Sequence, residues 1–207
     1  MMKKRAIFLT LALAAVGVVF AEEGNYPNVI FPKPHYDRRE NDPTWIQKAA
    51  EFHGHLGPAV VIGARLGAAG VAAVESEGYF GLQVVCAGPF IEPPQSCMVD
   101  GVQLSTGATL GKRNLTVLES PEYFVKVVNR KIGKSVVLRP KPELLQLAWS
   151  QLEEDHRDDH GNNLGDHDSA TERKSTPVAS MKKVEALARQ IAALPDDQIM
   201  TVERADP

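Results

Sequence analysis

The sequence predicts an α+β fold, a largely antiparallel sheet packed by helices, with one further helix near the C-terminus. Two helical segments open the folded part, a run of short β-like segments follows, and helical periodicity then returns. Composition agrees: 43% hydrophobic and 24% charged residues exclude chain-wide disorder. A length of 207 residues suits one domain with a small appendage. The formal net charge of -3 supplies no basic excess for binding nucleic acid. Two cysteines cannot build a disulfide-rich scaffold or a four-cysteine zinc ribbon.

Residues 1–21 read as an export signal rather than as part of the fold. Lys3, Lys4 and Arg5 precede an apolar run from Ala6 to Phe20, and Ala21 offers a small residue at the cut. The run is short for a membrane span of ~20 residues. Cleavage leaves an acidic chain in the periplasm or the medium, with no stable membrane insertion, where disulfides persist. Residues 22–41 hold three prolines and read as an extended arm.

A core is expected over 42–152. Asp42-Pro43 suits a helix start, with Asp as N-cap and Pro at the first helical position. Trp45, Ile46, Ala49 and Phe52 form its apolar stripe. Pro58 starts a second helix to about Ser76, apolar nearly all round and hence buried, its small residues suited to close packing. Tyr79 to Ala87 reads as a strand, and the proline-rich stretch Gly88 to Gln95 as a loop. Cys97 to Ser105 suits a short helix. Asn114 to Leu118, Tyr123 to Val128 and Ser135 to Leu138 are β-like, with a turn at Lys131 to Lys134. Pro142 opens another helix. Residues 153–176 read as an acidic, histidine-containing linker. Within 177–207, Val178, Met181, Val184, Leu187, Ile191 and Leu194 fit one helical face, and a terminal strand near Ile199 to Val202 docks on the core. No internal repeat is present.

Four clusters carry residues capable of chemistry. His53 and His55 flank Gly54 just before the second helix. Two imidazoles on an irregular backbone suit metal ligation or acid–base work, and equally a pair of loop histidines. Cys97 begins a helix, where the dipole favours thiolate, with Asp100 and Gln103 one turn on. A buried structural cysteine fits the same pattern. Ser105 to Asn114 is a Gly-Thr-rich turn with Lys112 and Arg113. Three residues separate Gly107 from Gly111, so it is no phosphate loop, although such a turn can hold an anion or simply close tightly. Glu153 to Asp168 holds seven acids and three histidines, His156, His160 and His167. It suits a solvated linker or a loop that catches metal. A Cys86–Cys97 disulfide is a further option for an exported chain.

The first three clusters together resemble the FmdE family, proteins similar to the FmdE component encoded with molybdenum formylmethanofuran dehydrogenase. The family pattern Phe-His-Gly-His-x-Cys-Pro stands here as Phe52 to Pro58. The pattern Cys-x-x-Asp-(Ala/Gly)-x-Gln-x-x-(Thr/Ser)-Gly-Cys-Thr-x-Gly-Lys-x-Asn stands as Cys97 to Asn114. Gly57 and Ala108 replace two of the family's cysteines, and the C-terminal zinc finger of many relatives has no counterpart. The resemblance implies an α+β core, often dimeric, whose polar cleft holds a divalent metal such as zinc. Residue by residue, it implies His53, His55 and Cys97 at the metal. It places Asp100, Gln103, Thr106, Thr109 and Lys112 along the cleft wall. Cys97, Asp100 and Lys112 are then the candidates for catalysis, and Gln103, Thr106, Thr109 and Asn114 for holding a cofactor or small ligand. A metal-dependent enzyme, a protein associated with one, and a non-catalytic periplasmic protein binding metal or a small ligand all suit this reading.

Overall fold

The computed structural model describes residues 29–91, 93–155 and 178–205. The segment expected to be an export signal, and most of the acidic tract, at 156–177, lie outside the described residues. From Pro32 onward the described residues belong to one compact unit. Its elements are α1 (Thr44–His53), α2 (Pro58–Ala73), β1 (Leu82–Gly88), α3 (Cys97–Thr106), β2 (Leu115–Glu119), β3 (Phe124–Asn129), β4 (Ser135–Pro140), α4 (Pro142–Asp155), α5 (Val178–Ala193), α6 (Asp196–Ile199) and β5 (Met200–Ala205). Glu153 to Asp155, expected in the linker, therefore close α4.

The five strands form one sheet in the order β2-β1-β3-β4-β5. Three of its four pairings are antiparallel, β1–β3, β3–β4 and β4–β5. The fourth, β1–β2, is parallel, with Cys86 opposite Val117. A parallel pair needs a crossover, and α3 supplies it. Val84, Cys86, Val125, Val127, Val136 and Leu138 alternate onto the buried face of the sheet.

α2 lies on that face and is buried along most of its length. Its glycines set how closely its neighbours approach. A Cβ on Gly63 would stand 1.9 Å from the Met98 carbonyl oxygen, and one on Gly101 2.0 Å from that of Val60. α2 and α3 thus cross backbone against backbone, and only glycine fits on either side. Gly70 plays the same part against Val127 and Leu138 of the sheet. Arg65, the one cation of α2, reaches α5, donating to the Ala192 carbonyl at 2.7 Å and to Asp196 at 2.6 Å. It thereby caps the C-terminal end of α5.

The structure corrects three local expectations. Asp42 is not the N-cap of α1: Pro43 takes that position without a side-chain cap. The Asp42 carboxylate accepts instead from Tyr36, from the Arg39 N–H and from Arg189 on α5. A buried guanidinium outcompetes the helix end for it. The buried face of α1 runs through Ile46, Ala49 and Ala50, whereas Phe52 is 55% exposed. The first strand begins at Leu82 rather than Tyr79, because Gly78 and Tyr79 both take positive φ and break the extended run.

Candidate functional site

His53 is carried inward by the rotation of α1. It lies three residues after Ala50, four after Ala49 and seven after Ile46, on the buried face. Its side chain is only 9% exposed. Gly54 then ends the helix in the left-handed conformation, with φ of 94°. The chain leaves extended, so that His55 forms a parallel bridge with His35 of the N-terminal arm and the His35 N–H donates to the Gly54 carbonyl at 2.7 Å. The rings of His53 and His55 end with centroids 4.6 Å apart, tilted by 47°.

From the facing side, α3 supplies Cys97 in its first turn and Asp100 one turn on. His53 Nδ1 and Asp100 Oδ2 are 2.8 Å apart. Gln103 donates to the other carboxylate oxygen over a long 3.4 Å. His53 Nε2, by contrast, is buried with no hydrogen-bond partner among the described residues. Cys97 is near enough to favour a charged ring, but makes no well-aligned bond to Nε2. A buried polar nitrogen without a partner costs free energy, so a group that hydrogen-bonds to Nε2 would be favoured there.

The two histidines are pushed in opposite directions. Burial opposes the charged form of His53, but the hydrogen bond to Asp100 and the nearby Cys97 sulfur outweigh it and raise the pKa to about 9. Burial, with the neighbouring charges of His53 and His35, lowers that of His55 to about 4. Near neutral pH one ring is an imidazolium and the other a neutral imidazole.

The structure thus gathers Cys97, His53 and Asp100, with His55 and Gln103 at the margin. The other residues singled out by sequence lie at the far end of α3, about 13 Å along its axis. The hydroxyl of Thr106 donates to the Val102 carbonyl at 2.6 Å and accepts from the Ala108 N–H at 3.1 Å. Asn114 is buried and spans the Tyr79 and Leu82 carbonyls and the Thr109 N–H. Thr109 accepts from the Lys112 N–H. The Lys112 ammonium stands 5.6 Å from the Phe80 ring centroid. These polar groups spend their hydrogen bonds on shaping the turn. His35 was not singled out by sequence. A lone histidine in a proline-rich arm carries no local signal of its pairing with residue 55.

The expected trio of metal ligands does not form a ready centre. Among the described residues, no group of three or more His, Cys, Asp or Glu side chains is placed to hold a metal ion. A Cβ at Gly57 would stand 3.1 Å from His55 Nε2, so His55 lies over the position where the pattern that the sequence resembles has cysteine. Ala108, at the second replaced cysteine, is fully buried. Both remaining thiols, Cys86 and Cys97, are free. A separate cavity of about 640 Å³, lined by Tyr123, Arg139 and Leu145 among others, contains none of the residues singled out by sequence.

The paired motifs now sit on facing elements of one fold, and comparison with known proteins places them. A family profile described as "FmdE, Molybdenum formylmethanofuran dehydrogenase operon" matches residues 52–201. The chain belongs to the FmdE family. A probable S-adenosyl-L-methionine-binding protein of Archaeoglobus fulgidus is 36% identical over 109 residues, 51% of this chain. The chain spans only 29% of that relative's length. A crystal structure of a protein like the FmdE subunit of tungsten formylmethanofuran dehydrogenase, from Syntrophus aciditrophicus, is similar, with a TM-score of 0.47 and 17% identity, over 79% of this chain and 71% of that one. The α+β architecture and the mostly antiparallel sheet agree with the expectation from sequence. Among the described residues, no helix is long and apolar enough to cross a membrane.

Proposed function

We propose that this FmdE domain binds a small electrophilic ligand and reacts with it through the thiol of Cys97. In the reacting form the proton of the thiol resides on His53, and Asp100 positions the imidazolium. The carrying observation is the His53 ring, fixed at Nδ1 by Asp100 at 2.8 Å, with Nε2 buried and unpartnered. That is the order nucleophile, base, orienting group, recognised by geometry rather than by chain order. The name of the archaeal relative suggests one ligand of this chemistry, S-adenosylmethionine, whose sulfonium is an electrophile. The test is alkylation of Cys97 by iodoacetamide at pH 7. Replacing His53 by Gln should slow it about a hundredfold, the usual share of a positioned base. Asp100→Asn should slow it by less, with its effect changing with pH as His53 titrates. Equal rates in all three proteins would end this reading.

A second reading is favoured by one observation, the neutral imidazole of His55. A histidine must be neutral to ligate. In this reading His53 and Cys97 hold a divalent cation, zinc by the softness of the donors, with His55 turning in to join them. Asp100 then holds His53 from behind. Elemental analysis of the untagged chain decides it. Bound zinc that shields Cys97 from alkylation and is lost in His55→Ala supports the cation. Metal-free protein with a reactive Cys97 supports the thiol.

The expected signal at 1–21 extends the proposal to a site working outside the cytoplasm. A chain recovered from the cell envelope or medium should begin at Glu22 by N-terminal sequencing.

A further inference from the structure

A nucleophilic thiol can attack carbonyl carbon, alkyl carbon or sulfur, and the surroundings of Cys97 discriminate among these. Acyl transfer develops an oxyanion, which needs preorganised N–H donors beside the nucleophile. At the start of α3 three such groups are already spent. The N–H groups of Cys97, Met98 and Val99 already donate to the carbonyls of Pro94, Gln95 and Ser96, at 3.2, 3.2 and 3.0 Å. Attack on sulfur spreads its charge along three sulfur atoms in line and makes no such demand.

The second thiol of the chain is placed where it cannot take part. Cys86 lies in β1 between Val117 of β2 and Val125 of β3, 1% exposed on the inward face of the sheet. Burial pushes its pKa up to about 12, so it is both shielded and protonated. Cys97 is partly exposed at the start of α3. Beside it stands the nine-tenths buried His53 ring with its unpartnered Nε2.

Resting on the thiol reading above, we propose that Cys97 is a single-thiol exchange site, which takes up low-molecular-weight disulfides as a mixed disulfide that only an external thiol removes. In the reacting form the Cys97 proton is held on the His53 ring beside it. The sulfur attacks one sulfur of R–S–S–R, forming the Cys97–S–S–R bond as the original S–S bond breaks. The departing RS⁻ leaves with the electron pair and takes the proton back from His53 as RSH. Cys97 is oxidised and one ligand sulfur is reduced, so the step balances without any further oxidant. With Cys86 locked in the sheet, no internal thiol can displace R, and the modified state persists until a small thiol reverses it.

The experiment uses the reduced full chain and glutathione disulfide at pH 7, with peptide mapping of both cysteines over time. Cys97 should form the mixed disulfide about tenfold faster than an unstructured peptide of residues 93–101, which lacks the His53 ring beside the sulfur. Cys86 should stay unmodified, added reduced glutathione should reverse the change, and His53→Gln should bring Cys97 down to the peptide rate. Asp100→Asn serves as the second variant, and circular dichroism identifies any variant that fails to fold. A wild-type Cys97 no faster than the peptide overturns the proposal, as does an internal Cys86–Cys97 disulfide. Cys97-dependent turnover of 4-nitrophenyl acetate would show acyl transfer and overturn it too. Iodoacetamide on the same samples separates the two levels. Fast, His53-dependent alkylation with slow exchange removes this inference alone, whereas slow alkylation removes the thiol reading beneath it.

Discussion

Gly63→Ala links the fold to the site most directly. Alanine is normally worth about 1 kcal/mol over glycine inside a helix, so propensity alone predicts stabilisation. The geometry of the α2–α3 crossing predicts the reverse. The new Cβ would stand 1.9 Å from the Met98 carbonyl oxygen, about 1.4 Å inside the ~3.3 Å at which carbon and carbonyl oxygen meet. The obstacle is backbone, so no side-chain rotation relieves it. Overpacking costs about 1–3 kcal/mol, and the upper end applies where two helices must part. The net loss is about 2 kcal/mol, or about 4–8 °C in melting temperature for a unit of this size. α3 also carries Asp100, held 2.8 Å from His53. A retreat of about 1.4 Å takes that pair beyond the 3.2 Å limit of a good hydrogen bond. Thermal melts and Cys97 alkylation should therefore fall together. Gly111→Ala, whose Cβ meets nothing nearer than 4.0 Å, is the neutral control. A Gly63→Ala protein melting at or above wild type, or melting lower with unchanged alkylation, would refute the reasoning.

Asp42→Asn should cost about 3 kcal/mol at neutral pH, because Asp42 and Arg189 form a buried pair at 2.9 Å. Arg189 above all holds the Asp42 carboxyl far below the usual range, so its contribution is complete above an unfolded pKa of about 3.9 and is lost as pH falls through the depressed folded value. Urea melts of the two proteins should differ at pH 7 and converge in strong acid. Proton NMR titration should find His53 near 9 and His55 near 4. The His53 contribution to stability is complete below about 6.5 and is lost as pH rises through 9, whereas that of His55 is lost as pH falls from 6.5 through 4. Asp100→Asn should bring the His53 value down, and an unmoved titration would disprove the coupling. Arg65→Met removes the bond to Ala192 and should cost about 1.5–3 kcal/mol, the worth of a hydrogen bond from a charged donor, read as a lower urea midpoint.

Local signals in the sequence carry the helices well. Pro58 starts α2, Cys97 starts α3, and the all-round apolarity of α2 does mean burial. Pairings over distance are another matter. Asp42 looks like an N-cap because its partner Arg189 lies 147 residues away. Nothing local tells Thr106 and Asn114, which shape a turn, from residues that would line a cleft. The same holds for His53 and Asp100, 47 residues apart. Each sits in its own motif, and only the crossing of α2 with α3 and the burial of α1 bring them face to face. The histidines and the cysteine could be named from sequence; that His53 would face Asp100 through Nδ1, while His55 turned over Gly57, depended on tertiary packing.

Arg189 holds more than Asp42. It also donates to the Asp37 carbonyl at 2.7 Å, while Glu185 of the same helix accepts from the Asp37 N–H at 3.1 Å. The arm that carries His35 to His55 is therefore fastened by α5, almost at the other end of the chain. Closing a loop of that length is entropically expensive, and nothing rewards it until α5 is already seated on α2. The arm is therefore expected to dock late in folding, after the sheet and the α2–α3 crossing. Weakening this clasp should leave the refolding rate almost untouched and speed unfolding, as expected for contacts absent from the transition state. The His35–His55 side of the site would then open first when the protein begins to come apart, with the Cys97 side still in place.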